Sequence, residues 1–140
     1  MKILLPVDGS HCTKRMLSYI AAHDELLGRG HEYLAFTAIP AIHAYATHLL
    51  ERATMAGYYQ EEADKVLAPV MAFAAQQGWT IRALHDHGHA AEVIATTAEK
   101  EHAGLIVMGT HGHSSLANVV LGSVASGVLA RSKVPVLLIR

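Results

Sequence analysis

Apolar positions along this chain fall into four short continuous runs and one alternating run, separated by stretches in which apolar residues recur every three or four places. The continuous runs cover residues 3–7, 33–39, 105–108 and 134–139, each with the length and branched-residue content of a strand buried on both faces. Residues 79–85 alternate instead, putting Trp79, Ile81 and Ala83 on one face of a third strand. Pro6 is tolerable near the end of its strand, where an N–H need not serve a neighbour, and Pro40 stops the second strand.

The intervening stretches carry the helical period. Asp8-Gly9-Ser10 makes a turn, with Ser10 placed to cap a helix that presents Cys12, Met16, Tyr19, Ile20, His23 and Leu27 on one side and ends at Gly28 and Gly30. Residues 41–57 mix alanine, histidine and threonine without a period and are expected to form a mobile loop with some helix. Tyr59, Ala63, Val66, Leu67, Val70 and Ala74 then define a long helix that Gly78 ends. Pro69 is expected to kink it, because proline lacks an N–H and crowds the carbonyl four residues back. Residues 90–102 form another helix with Val93, Ile94 and Ala98 inward, and residues 123–130 a last one. Strands alternating with helices predict right-handed βαβ units, hence an α/β fold with a five-stranded, parallel, doubly wound sheet. Ligands of such folds sit beyond the carboxyl ends of the strands, where the winding reverses. Asp8, Ala38 and Gly109 stand at such ends.

Composition narrows the picture. A chain of 140 residues, 51% hydrophobic, is the size of one domain with a sizeable core. A formal charge of −1 and a pI near 6.8 supply no basic excess for nucleic acid. One cysteine, Cys12, excludes an internal disulfide and fits a reducing compartment. No apolar stretch approaches the roughly 18 residues of a membrane span, and the expectation is a cytoplasmic protein.

Candidate chemistry concentrates in GTHGHSSLANVVLGS, residues 109–123. Glycines at 109, 112 and 122 permit positive φ and close approach of backbone to a ligand, and Ser123 opens a helix whose first amides lack acceptors. Strand, glycine loop, hydroxyl and helix start together describe a phosphate site. The loop has no lysine, so it is not a Walker A loop. The turn after the first strand offers only Gly9, so a dinucleotide fingerprint is absent.

These residues resemble the universal stress protein family over essentially the whole chain. The resemblance rests on ILLPVDGS at residues 3–10, GLIVMGTHG at 104–112, LGSV at 121–124 and PVLLI at 135–139. The spacing Gly109-x2-Gly112-x9-Gly122-Ser123 is similar to the motif of the family's ATP-binding branch. What this implies is a Rossmann-like, adenine nucleotide alpha hydrolase-like fold that binds ATP with magnesium or manganese. Pro6, Val7 and Asp8 would stand at the first strand end, Asp8 near the ribose or a phosphate-bound cation. The Ala38 backbone would meet adenine; Met108, Gly109, His111 and Gly112 would hold ribose and phosphate; Gly122, Ser123 and Val124 would face the outer phosphates. The helical pattern from Leu116 must then break at Gly122. Gly104, where the family commonly has an acidic residue, and His89, where it commonly has proline, depart from the pattern outside the site.

Other readings of the same residues stand beside this one. Gly109 and Gly112 serve equally to end a strand, Gly122 to let a helix pack closely, Asp8 to begin a helix and Ser123 to cap one. The eleven histidines would carry the charge from −1 to +10 if all were protonated, which suits a response to acidification. His85, His87 and His89 would share one face of an extended segment and could bind zinc, although no cysteine is near and the spacing is loose. ATP hydrolysis needs a positioned water, a base and a neutralising cation, and with no lysine or arginine at the phosphates the expectation is a nucleotide-gated sensor, read by an unknown downstream protein, with at most slow turnover. A second hypothesis is an assembly protein that does not need nucleotide: the last strand would be an uncovered sheet edge, and the family resemblance implies a homodimer through Val136–Ile139.

Overall fold

The computed structural model describes residues 1–42, 51–113 and 121–140. Five strands, β1 (Lys2–Pro6), β2 (Glu32–Ile39), β3 (Thr80–His87), β4 (Leu105–Gly109) and β5 (Val136–Ile139), form one all-parallel sheet in the order β3-β2-β1-β4-β5. The chain winds outward from β1 to β2 and β3, then returns to the other side of β1 for β4 and β5. The switch point therefore lies between β1 and β4, whose register pairs Ile3 with Leu105.

Alternation along β1 explains why both faces are covered. Ile3, Leu5 and Val7 point to one side, where they join Met16, Ile20, Ala63 and Leu67. Leu4 points to the other and meets Leu34, Phe36, Ala98 and Val128. The first layer is built by α1 (His11–Ala22), α2 (Asp24–Leu27) and α3 (Arg52–Gln77), the second by α4 (Ala90–Lys100) and α5 (Ser123–Arg131). Helices α4 and α5 approach closely, since a Cβ on Gly127 would lie 2.6 Å from the Ala91 Cβ.

Several elements differ from the sequence expectation. The first helix breaks at His23, whose backbone leaves the helical region (φ −118°, ψ 54°); its ring stacks on Tyr19 and bonds the Tyr19 carbonyl. Leu27 is buried from α2, while Tyr19 faces outward. Pro69 lies inside α3, and that helix ends as expected at Gly78, where φ of +69° gives the left-handed cap. Strand β3 begins after Trp79 and runs two residues past His85; Trp79 itself is buried, 5.0 Å from the Tyr33 ring centroid, and Ala83 is exposed. Helix α3 begins at Arg52, within the segment expected to be a loop with some helix; residues 43–50 lie outside the described residues.

Tyr33 locks the start of β2 to the end of α2. It is fully buried, and its hydroxyl donates to the carbonyls of Leu27 and Gly28. Burial, and secondarily the Asp24 charge, push its phenol up to about 12 from 10. The folded pKa is raised, so this contribution is fully present below pH 10 and is lost as the pH climbs through 12. Tyr33→Phe should cost about 1–2 kcal/mol at neutral pH for the unpaired carbonyls. It should also flatten the fall in stability between pH 10 and 12, as denaturant midpoints at several pH values would register.

Candidate functional site

Beyond the carboxyl ends of β1, β2 and β4 lies a cavity of about 250 Å³. Its floor is apolar: Pro6 and Val7 from β1 and its end, Phe36 and Ala38 from β2, Met108 from β4, and Ala90 and Ile94 from α4. Its rim is polar or bare: Asp8, Gly109, Thr110, His111, Gly112 and His113, closed by Gly122, Ser123, Val124 and Ala125 at the start of α5. All eleven residues singled out from the sequence line this one cavity.

Local hydrogen bonding explains how the rim is held. Gly9, with φ of +75°, turns the chain so that the Asp8 carboxylate folds back over the helix start. Its Oδ1 accepts the Ser10 N–H at 2.9 Å and the Thr13 hydroxyl at 2.9 Å, and Thr13 Oγ1 in turn accepts the Asp8 N–H at 3.1 Å. Ser10 stands at the N-cap, yet its hydroxyl makes no capping bond and is buried without a partner among the described residues. Asp8 thus binds the amide of the N-cap residue and the Thr13 hydroxyl, and no described side chain caps α1. The His113 ring nitrogen Nε2 meets the Asp8 carbonyl at 2.6 Å, tying the glycine loop to the end of β1.

The three loop glycines act differently from expectation. None lies in the left-handed region; Gly122 has φ of −70°. Their value is the missing side chain. A Cβ on Gly109 would stand 2.8 Å from the Cys12 Cβ, one on Gly112 2.5 Å from Asp8 Oδ2, and one on Gly122 2.9 Å from the Thr110 carbonyl oxygen. Gly122, not Ser123, is the N-cap of α5, and its N–H donates to the Thr110 carbonyl at 2.7 Å. The helix ladder begins with Ser126 N–H to the Gly122 carbonyl, so the amides of Ser123, Val124 and Ala125 have no acceptor within the helix. All three residues line the cavity, at the positive end of the helix dipole. A helix opens at Ser123 as expected; the helical pattern expected from Leu116 falls in residues 114–120, which lie outside the described residues.

Sequence reasoning did not assign Thr13, Phe36, Ala90, Ile94, Thr110, His113 or Ala125 to the site. Phe36 lies two residues before Ala38 on the same strand face, and Ala90 and Ile94 are one helical turn apart, so the two structural periods carried a signal for them. The histidine triad does not form a site: His85 and His87 are in β3, His89 caps α4, and His87 stacks on Tyr59 with centroids 4.4 Å apart. Among the described residues no three histidine, cysteine or acidic side chains group to hold a metal. No helix there is long and apolar enough to cross a membrane.

A five-stranded, all-parallel, doubly wound sheet with a crevice at its switch point defines the class of this molecule as an α/β protein. The chain belongs to the universal stress protein family, whose model matches residues 1–140. A universal stress protein of Thermus aquaticus is 35% identical over 139 residues, spanning 99% of this chain and 97% of that protein. Universal stress protein MJ0531 of Methanocaldococcus jannaschii is 38% identical over 81 residues, which take in 58% of this chain but only about half, 48%, of the relative. Among solved structures, that of MJ0577 from the same archaeon superposes with a TM-score of 0.82 at 26% identity, covering 99% of this chain and 94% of the other. Two further structures of this fold carry nucleotides: a universal stress protein in complex with cAMP (TM-score 0.62, 23% identity, covering 100% and 96%) and one from Arabidopsis thaliana with AMP bound (TM-score 0.70, 14% identity, covering 99% and 90%).

Proposed function

We propose that the protein binds an adenine nucleotide, ATP with its divalent cation, in the crevice between β1 and β4 and acts as a nucleotide-dependent regulator with at most slow hydrolysis. The observation that carries this is the convergence on one cavity of an apolar floor, three side-chain-free glycines and three amides with no acceptor within their helix. Adenine would lie on Val7, Ala38 and Met108, and the phosphates would run along Gly109, His111 and Gly112 toward Gly122, Ser123 and Val124. The cAMP and AMP complexes of other family members support the same class of ligand.

The donor set fits a cation that arrives with the phosphates rather than one the protein holds alone. Magnesium keeps several waters and needs only one or two carboxylates beside phosphate oxygens. Asp8 supplies one: its Oδ1 is engaged by Ser10 and Thr13, while Oδ2 faces Gly112. The bound ion would neutralise charge between the phosphates, which the helix amides alone do only in part. The same engagement of Oδ1 makes Asp8 a poor general base, and no lysine or arginine lines the cavity to stabilise a transferring phosphoryl group.

Purified protein, denatured and analysed by chromatography and mass spectrometry, should release adenine nucleotide or, if empty, titrate with ATP and magnesium. A folded protein that releases no nucleotide and does not titrate with ATP and magnesium would overturn the proposal. Asp8→Asn should weaken the magnesium-dependent part of ATP affinity by about tenfold, the scale of one lost charge-assisted contact. A hydrolysis rate unchanged by the same substitution would remove Asp8 from any catalytic role.

A second reading, an assembly protein independent of nucleotide, is favoured by β5. It lies at the sheet edge, paired on one side with β4 and on the other with nothing among the described residues, and Val136, Leu137 and Leu138 are only half-buried. The proposed partner at that edge is a second copy of the chain. The two readings are compatible and separate experimentally.

A further inference from the structure

On the opposite face of the sheet from α4 and α5, α1 packs over β4 and β5 while α3 packs over β2 and β3. The two helices straddle β1 and leave a groove between them of about 420 Å³, within the range of small-molecule sites. Leu17, Val70 and the partly buried Val66 and Phe73 make its apolar wall.

Two features give the groove a polarity. Lys14, exposed on α1, lies at its rim with no carboxylate partner among the described residues. Lys65 across the groove has its charge occupied by Glu62 at 2.6 Å and Glu61 at 3.9 Å. Pro69 supplies no N–H, so the Lys65 carbonyl one turn earlier lacks its helical donor. A hydrocarbon-lined slot with one unpaired cation at its lip complements a single ligand chemistry. We infer that the groove between α1 and α3 is a binding site for a small amphipathic carboxylate, its apolar body against Leu17, Val66 and Phe73 and its carboxylate on the Lys14 ammonium. The site stands apart from the proposed nucleotide crevice and does not rest on that reading. Thr13 alone lines both, with its hydroxyl committed to Asp8.

The test is titration of the full-length protein with octanoate, followed by amide chemical shifts and calorimetry, with octanol as the uncharged control. Octanoate should move the amides of Lys14, Ser18, Val66 and Phe73, and octanol should bind about tenfold more weakly. Lys14→Met keeps the alkyl stem and removes the charge; it should reduce octanoate affinity three- to tenfold and leave octanol unchanged. Ser18→Trp, a change at an exposed position beside the groove, should block both ligands while circular dichroism stays native. Octanoate that shifts none of these amides overturns the proposal, as does an affinity indifferent to Lys14→Met. Groove variants that change the oligomeric state of a protein that binds no octanoate would overturn it in favour of a contact between copies.

Discussion

Gly122→Val is expected to weaken ATP binding by about 100-fold or more while leaving the oligomeric state unchanged. The added Cβ would stand 2.9 Å from the Thr110 carbonyl oxygen and 3.3 Å from the His111 Cα, both backbone atoms that cannot swing away. Relief requires the start of α5 to move off the glycine loop. That would break the 2.7 Å bond from Gly122 N–H to Thr110 and turn the amides of Ser123 and Val124 away from the phosphates. Two charge-assisted hydrogen bonds at roughly 1.5–3 kcal/mol each set the expected scale. Overpacking should also cost about 1–3 kcal/mol of stability, so the thermal midpoint must be measured beside the titration. Affinity near that of the unmodified protein would show that ligand does not use this helix end.

Much of this was legible in the sequence because the signals were local. Four strands show themselves as continuous apolar runs and the largely exposed β3 as an alternating one, and a parallel sheet follows because helical patterns separate them. The crevice was legible for a related reason: strand ends and glycines are marked in the chain, and topology alone brings Asp8, Ala38 and Gly109 to one end of the sheet. What did not show was decided by contacts across the sequence. The break at His23 depends on a ring stacked on Tyr19 and bonded to its carbonyl. Glycines 109 and 122 look like conformational devices, yet each is set by what stands opposite, Cys12 for one and the Thr110 backbone for the other. Ser10 has the sequence of a cap, but its hydroxyl makes no capping bond and its own amide donates to Asp8, an arrangement that composition does not fix.

The other large effect is expected in the last strand, where Leu138→Pro should convert the proposed dimer into monomers without loss of ATP titration. The carbonyl of Pro135 accepts the Ile106 N–H and that of Ile139 accepts the Thr110 N–H, so residues 135, 137 and 139 turn their polar backbone groups toward β4. Alternation then aims the N–H and carbonyl of Val136 and Leu138 at the open edge. Proline at 138 deletes one outward donor and leaves the β4 ladder its bonds, the placement in which strands tolerate it. Deleting residues 136–140 is a harsher form of the experiment and should give monomers or insoluble protein, because it also strips the Thr110 amide of its acceptor beside the crevice. Sedimentation of both variants, with the circular dichroism of the proline variant as a check on folding, decides the matter: a dimer that survives both would refute this edge as the interface. A monomeric Leu138→Pro protein that still binds ATP would show that assembly and nucleotide binding are separable, since the substitution preserves the bonds that tie β5 to β4 beside the crevice, the one from Thr110 to Ile139 among them.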